Sequence, residues 1–533
     1  MTTDTLDVAI LGAGLAGCLL ARQLRRQAPG LRIAQFERAQ GTSFKVGEAT
    51  VELFINHMLR RLGLSTYLYE QHLPKNGLRF FFDDETHSTP LGEMTEMGTQ
   101  ALPFHPSFQL DRQRLEADLR RMNVAAGVDL RYGTVRDLSL SADGASPHTF
   151  RVESDAGTTA CTARWVIDAT GRTSLIAKQR GLRVPTRDHN VASAWARYRK
   201  VVDIDDLDLP GFRARVRHTS RRLSTIHFTY PGYWIWFIPL GDDVISVGVV
   251  IDKINPRYDP GLLREAGFRG FLDQHRAIRD LLAPAELLDF VAYGHLAYGT
   301  TRVLDCAQRW ATTGEAAAFT DPFYSPGSDF IALANDYITD LLVREGGGED
   351  PTTLVERGEL YDQYLRYRYD ANLLLYRDQY DGLGSFPLLQ LKWELDILCY
   401  YDLWVHSYMQ DHHLDLDRVR SDLREKTFVL EALANFGKLF ALTSRHLREQ
   451  GTYFARNRGQ YVEPLENLGC VKHVGLPMSM AEMKTRVLRV FQSVRDGTFV
   501  LLGVTPTHAT PSFADYVTGR AFAPALAAQP TAV

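Results

Sequence analysis

Little in this chain provides covalent staples or a lipid anchor. Its 533 residues include 5 cysteines, Cys18, Cys161, Cys306, Cys399 and Cys470. No two of them are spaced as a Cys-x-x-Cys redox or metal pair, and thiols this few and scattered fit a reducing cytoplasm. There is no uninterrupted run of about 18 apolar residues, so no membrane span is expected. The opening residues, Met-Thr-Thr-Asp-Thr-Leu-Asp, lack the positive charge of a secretory signal. Neither sign of charge dominates. With 60 Lys and Arg against 64 Asp and Glu, the net charge of −4 calls for neither nucleic acid nor an anionic surface as partner. Internal repeats are missing, as are Gly-x-Ser-x-Gly, His-Glu-x-x-His and P-loop patterns. What remains, 45% hydrophobic and 23% charged, is an ordinary globular composition, with length for about two to four domains.

Residues 6–11 form a short apolar run of the kind that builds a buried parallel strand. Gly12-Ala-Gly14-Leu-Ala-Gly17 follows. A helical stretch over 19–27 is stopped by Pro29-Gly30, and a second strand over 31–36 ends on Glu37. A lone Gly-x-Gly-x-x-Gly says little. This one closes a strand, opens a helix and has an acid about 20 residues on, which is the arrangement of a dinucleotide site. Gly12 is expected to permit the tight turn, Gly14 to let backbone approach a pyrophosphate, and Gly17 to let helix pack on strand. The helix start offers its positive end to phosphate, and Glu37 an acceptor to the adenosine ribose. NAD fits this fingerprint as well as FAD does.

Farther along, 111–122 reads as an amphipathic helix and 149–154 and 158–168 as strands around the Asp155-Ala-Gly157 turn. Residues 190–300 hold several aromatic-bearing strands suited to covering a substrate cavity. Residues 311–319 read as a strand and 330–343 as a helix. Gly346-Gly-Gly348-Glu-Asp-Pro351 is the clearest boundary. It divides the chain into 1–345 and a mainly helical 346–533, with a loosely ordered tail from Thr505. In the helical part Trp393, Ile397, Tyr400, Trp404 and Tyr408 recur mostly at a spacing of four. They mark one helix face, read as core packing with a cavity wall as the alternative. His412-His413 reads as solvated or capping, because adjacent residues point apart on a helix. Arg221-Arg222 reads as a solvated face.

Tryptophan is scarce, 7 in the whole chain. Yet Trp234 and Trp236 stand two apart in Pro-Gly-Tyr-Trp-Ile-Trp-Phe-Ile-Pro, on one face of a strand pattern. Alone, that is a buried aromatic strand. Other segments give it meaning. Trp165-Val-Ile-Asp168-Ala-Thr-Gly171-Arg-Thr-Ser174 resembles the second strand-turn motif of flavoprotein oxidoreductases. The stretch from Thr313-Gly314-Glu315 to Asp321-Pro322 resembles the flavin-ribityl segment of hydroxylase-like flavoproteins, with Glu315 where Asp is usual. Leu110-Asp111-Arg112 matches a third feature of that group, an arginine near the flavin. Beside these, Trp-x-Trp-x-Ile-Pro resembles the signature of flavin-dependent halogenases. The resemblance implies an α/β flavoprotein of the hydroxylase-like fold, with a Rossmann-type FAD-binding unit, a substrate-covering β-sheet and a helical C-terminal domain. It implies FAD rather than NAD, held by Gly12, Gly14, Gly17, Glu37, Arg112, Asp168 and Asp321. No second glycine fingerprint for NADPH is visible, so reduced FAD is expected from a separate flavin reductase.

The chemistry implied by the resemblance is the oxidation of a halide ion to hypohalous acid by reduced FAD and O2. The acid passes to a lysine beside an electron-rich aromatic substrate. Val46-Gly47-Glu48-Ala49-Thr50 followed by Pro74-Lys75-Asn76-Gly77-Leu78-Arg79-Phe80 matches the lysine segment and singles out Lys75. Lys45 is the decoy, expected to point to solvent. An amine has the right chemistry in either protonation state. Charged, it donates a hydrogen bond to the hypohalous oxygen; neutral, it forms a haloamine. Trp234, Trp236 and Glu48 would wall the passage and prevent direct hydroxylation of the substrate. Gly327 and Ser328 would hold the halide, although Pro326 lacks one N–H that such sites commonly use. Tryptophan halogenases carry a glutamate where this chain has Tyr324, so the expected substrate is phenol- or pyrrole-like, free or carried on a protein. No metal is implied. Two alternatives stand beside this reading: a halide-independent flavin-dependent monooxygenase, favoured by Pro326, and a non-catalytic flavin-binding partner protein.

Overall fold

The expected β-α-β unit consists of the strand Asp4–Leu11, the helix Leu15–Gln27 and the strand Ile33–Glu37. The structure, a computed structural model, describes residues 4–464, 474–506 and 510–527; Cys470 lies outside the described residues. Asp4–Leu11 pairs in parallel with Ile33–Glu37 on one side and Gly157–Asp168 on the other. Both of its edges are therefore paired, and both faces are packed, Val8 and Ile10 in one core and Ala9 and Leu11 in another, which explains the unbroken apolar run Val8–Leu11. The sheet runs Leu304–Asp305, Trp310–Thr312, Gly157–Asp168, Asp4–Leu11, Ile33–Glu37, Asp129–Tyr132. Leu11 pairs with Asp168, and Asp168 with Thr312, so three strands end level with one another. The loops at 12–14, 169–173 and 313–315 thus leave the same carboxyl edge, where open α/β sheets bind their ligands.

A second sheet of eight strands includes Val191–Arg199, Val244–Asp252, Tyr233–Gly241, Thr225–Tyr230 and Leu78–Phe82 in that spatial order. Strand alternation divides Tyr233–Gly241 between two cores. Trp234, Trp236 and Ile238 enter the core shared with the dinucleotide unit. Tyr233, Ile235 and Phe237 enter a separate core closed by Phe268, Phe271 and Leu272 of the helix Glu265–Asp273.

Beyond the Gly-rich stretch, Asp350 caps the helix Pro351–Leu374 by accepting from the Thr352 and Thr353 N–H groups at 3.0 and 3.1 Å. The helices Phe386–Leu398, Leu416–Glu449 and Met480–Leu501 follow. Their apolar residues belong to the same core as the first helix. Among the described residues no helix is long and apolar enough to cross a membrane.

Three local expectations need correction. The tail from Thr505 is not loose where described: it forms the helices Phe513–Val517 and Ala523–Ala527, and the buried Tyr516 stacks on Phe436. Residues 507–509 and 528–533 lie outside the described residues. Arg221 is buried, because Glu96 gathers Arg79, Arg221 and Arg215 at 2.5, 2.8 and 3.5 Å; Arg222 is half-buried against Asp203. His413 is also buried, 2.9 Å from Asp336 and stacked on Tyr408. Adjacent residues do point apart, but here one of the two points inward.

Candidate functional site

Two spaces open on opposite sides of the tryptophan strand. The first is an open cleft of about 2020 Å3, its mouth included, at the carboxyl edge of the first sheet. Gly12 has φ +110°, and a Cβ there would lie 2.4 Å from the Ala169 carbonyl oxygen. At Gly17 a Cβ would lie 2.2 Å from the Gly12 carbonyl oxygen, so close helix–strand packing excludes any side chain. At Gly14 nothing comes within 3.9 Å, and that open backbone beside the helix start is a cradle for a diphosphate. Glu37 closes the far end and accepts from the N–H of Ala13 at 2.9 Å and of Ala39 at 3.1 Å. Arg112 donates to the Val46 carbonyl at 3.0 Å and to Glu116 at 2.5 Å. Lys45 is less solvated than expected; it lines the cleft and pairs with Glu116 at 2.6 Å. Despite burial, Arg112 and Lys45 hold the Glu116 carboxyl below its ordinary range. The open face at Gly14, the acid at Glu37 and the size of the cleft fit FAD.

Asp168 and Asp321 act behind this cleft rather than in its wall. Asp168 accepts from the Thr170 N–H, the Thr170 hydroxyl and the Ile176 N–H at 2.9, 2.7 and 2.8 Å, which shapes the loop that does line it. Asp321 accepts from Tyr380 at 2.6 Å and lies 2.7 Å from His189 Nε2. The Tyr380 hydroxyl in turn accepts from Trp234 Nε1 at 3.0 Å.

The second space, about 960 Å3, holds Lys75. The amine is buried and donates to the Thr50 carbonyl at 2.7 Å; desolvation brings its pKa down to about 8, against the opposing pull of Glu52. Three carboxylates that the sequence did not flag share the cavity: Glu52, Asp329 and Asp396. Burial raises all three, Asp329 to about 8 in spite of Arg368. Asp396 Oδ2 accepts from the Tyr324 hydroxyl at 2.9 Å and from Lys392 Nζ at 2.6 Å, while its Oδ1 has no partner. The only advance sign of this group was the Lys392–Asp396 spacing of four on an aromatic helix. Trp393, Ile397, Tyr400 and Trp404 do form a cavity wall. Tyr408 does not: the π-helical turn Cys399–Val405 shifts the register, and Tyr408 donates to Asp336 at 2.9 Å.

A path of rings joins the two spaces. Trp195 lines the cleft, and Trp236 lies beside it over Gly248, where a Cβ would sit 2.2 Å from the Trp236 ring and 2.5 Å from Trp195 Cβ. Trp236 is 5.5 Å from Trp234, Trp234 is 5.1 Å from Phe323, and Phe323 is 4.7 Å from Tyr324, which lines the Lys75 cavity. Both indoles are 2% exposed. Glu48 sits under them. It accepts from Ser246 at 3.3 Å, whose hydroxyl accepts from Trp236 Nε1 at 3.2 Å, and it pairs with Arg197 at 2.9 Å. Burial raises Glu48 to about 7 although Arg197 opposes it. Gly248, Ser246 and Arg197 were missed because nothing marks them until the strands are paired. Two segments pass between the spaces. Val46 lines the cleft and Glu52 the cavity; Ile331 lines the cleft and Phe330 the cavity.

Gly327 and Ser328 open the helix Gly327–Gly346, with Pro326 as its cap and Ser325 at φ +58°. As the first helical residues their N–H groups have no intrahelical partner. The Ser328 hydroxyl donates to the Ser325 carbonyl at 3.1 Å. Among the described residues no cluster of His, Cys, Asp and Glu is placed to hold a metal.

A family model described as an FAD binding domain matches residues 5–222. The chain is similar to flavin-dependent halogenase chlA of Dictyostelium discoideum, 29% identical over 440 residues, which cover 76% of this chain and 71% of the relative. It is similar to tetracycline 7-halogenase of Kitasatospora aureofaciens, 26% identical over 348 residues and spanning 60% of each chain. In three dimensions it matches halogenase PltM in complex with phloroglucinol and FAD at a TM-score of 0.65, with 19% identity over 85% of this chain and 94% of the other. It also matches flavin-dependent brominase Bmp2 at 0.60, with 19% identity over 81% and 99%. At such identities the structural likeness speaks for the fold.

Proposed function

We propose that this chain, which belongs to the flavin-dependent halogenases, chlorinates or brominates an electron-rich, phenol- or pyrrole-like aromatic at Lys75. The observation that carries the reading is the separation of two sites. An open cleft with a nucleotide cradle and a cavity holding a desolvated amine are separated by packed rings, Trp236, Trp234 and Phe323. When bound in the cleft in reduced form, supplied by a separate flavin reductase, FAD provides with O2 the oxidation of halide to hypohalous acid.

The protein's own groups do the rest. Gly12, Gly14 and Glu37 hold the dinucleotide. The N–H groups of Gly327 and Ser328 hold the halide at a helix start, where an anion is favoured. Trp234 and Trp236 keep the aromatic substrate away from the cleft, and Glu48 with Arg197 fixes Trp236 through Ser246. Lys75 receives the hypohalous acid. As an ammonium it donates a hydrogen bond to the oxygen; as a free amine it takes the halogen and releases water. The ring carbon then forms its bond to halogen as the halogen's bond to oxygen or nitrogen breaks. The leaving oxygen or nitrogen takes up a proton and departs as water or the free amine, and the proton the ring loses goes to Asp396, oriented by Tyr324 and Lys392. Asp396 thus does from the helix Phe386–Leu398 what Tyr324 has no carboxylate to do.

Turnover with reduced FAD, a simple phenol and bromide tests the proposal. A brominated product supports it. An oxygenated product formed regardless of halide would select the monooxygenase that Pro326 favours, and no product with any phenol or pyrrole would leave a flavin-binding protein without catalysis.

A further inference from the structure

Beside the Lys75 cavity lies another space, of about 1100 Å3 with its open mouth included, among the helices Pro351–Leu374, Leu416–Glu449 and Met480–Leu501. One side chain, Trp404, lines both. It is buried, its indole N–H has no partner, and the Arg368 guanidinium lies over its ring at 4.6 Å. It stands on the π-helical turn Cys399–Val405, a wide form of helix that recurs at functional sites. Leu403, Leu433, Met480, Met483, Val487 and Phe491 make the lining apolar and adaptable. The space opens beside Phe428, Lys484 and Glu425, each about half exposed. Its cations are paired, Arg418 with Asp422 at 3.0 Å and Lys484 with Glu425 at 3.4 Å.

We infer that this chamber receives the aliphatic chain of the halogenation substrate, with Trp404 turning aside to pass it, so that the substrate is an electron-rich ring bearing a flexible hydrocarbon tail. The inference rests on the Lys75 reading for the place of the ring. The paired rim favours a hydrocarbon over the pantetheine arm of a carrier protein, since such an arm ends in a phosphate and carries amides. The rim offers the phosphate no free cation, and the apolar lining offers the amides few partners.

The test is equilibrium binding, by calorimetry on the full chain loaded with FAD, of resorcinols bearing alkyl chains from methyl to heptyl. Affinity should rise about threefold to fourfold per methylene until the chamber is full. Ala432→Trp and Val487→Phe each fill the chamber from a different helix. Each should flatten that rise and leave affinity for the methyl compound unchanged; thermal melting and FAD content identify a variant that fails to fold, and the other then serves. Chain-independent affinity in the parent would overturn the inference, as would a rise that survives both substitutions. Tighter binding of a pantetheine thioester of a phenolic acid, lost in the same variants, would give the chamber to a carrier arm and overturn it too. If chain-dependent binding appears but no halogenated product forms, the chamber stands and the halogenase reading falls.

Discussion

The cleft at Gly12 and the cavity at Lys75 are built by opposite routes. The cleft comes from loops that leave one edge of one sheet, and its requirements are met by backbone: a left-handed glycine, a helix start, a close approach. The cavity draws Glu52, Lys75, Tyr324, Asp329, Arg368 and Asp396 from well-separated segments, and burial tunes them. Glu116 in the cleft is held low by two cations in spite of burial, whereas Glu52, Asp329 and Asp396 are pushed up by burial itself. The cleft is organised to grip a charged cofactor. The cavity, by excluding water, disfavours the charged forms of its amine and carboxyl groups, as the proposed chemistry at Lys75 requires.

If the two regions are separable, damage to one should spare the other. Lys75→Ala is expected to abolish halogenation while FAD affinity, read by fluorescence titration, stays at the parent value; retained halogenation would remove Lys75 from the mechanism. In the parent, kcat/KM should show a rising limb centred near pH 8, because deprotonation frees the buried amine to take the halogen. The limb should persist in Asp329→Asn, whose carboxyl also titrates near 8. A falling limb at the same pH would assign the work to the ammonium.

Asp396→Asn should lower kcat about a hundredfold, the usual worth of a positioned base, with KM and FAD affinity little changed. An effect on KM alone would make Asp396 a binding group. In the other region, Gly12→Ala forces a side chain into φ +110° against Ala169. Strain of about 1–3 kcal/mol should weaken FAD about tenfold or more, and turnover should recover at saturating FAD. Competition between halides probes the helix start at Gly327 and Ser328, the proposed halide site. With Pro326 offering no N–H, bromide, the anion cheaper to desolvate, should be consumed ahead of chloride by a modest factor; a clear chloride preference would reveal a compact anion site. The smallest effect is expected at the partition. Gly248→Ala pushes Trp236 aside and should cost about 1–3 kcal/mol in chemical denaturation, with partial loss of halogenation. Unchanged stability would mean that the indole has somewhere else to go.

Read by itself, the chain determined what short-range geometry controls. Strand, glycine turn, helix and acid at 4–37 are local, so their spacing specifies the fold unit and a dinucleotide as its class of ligand. The Trp-x-Trp alternation placed both indoles on one face before any partner strand was known. Lys75 was singled out because its segment follows the Gly47-Glu48 loop in a recognisable order, and the structure places it in a cavity. Periodicity marked the helix face of Trp393, Ile397, Tyr400 and Trp404, but not what it would meet. Only the tertiary structure decided that this face walls the Lys75 cavity, that Asp396 stands beside Tyr324, that Gly248 makes room for Trp236, and that Arg221 and His413 are buried against Glu96 and Asp336. The physical reason is common to all of these. Burial, ion pairing and proton affinity depend on which distant segments are packed together and how much water they exclude, and no local pattern of residues carries that information.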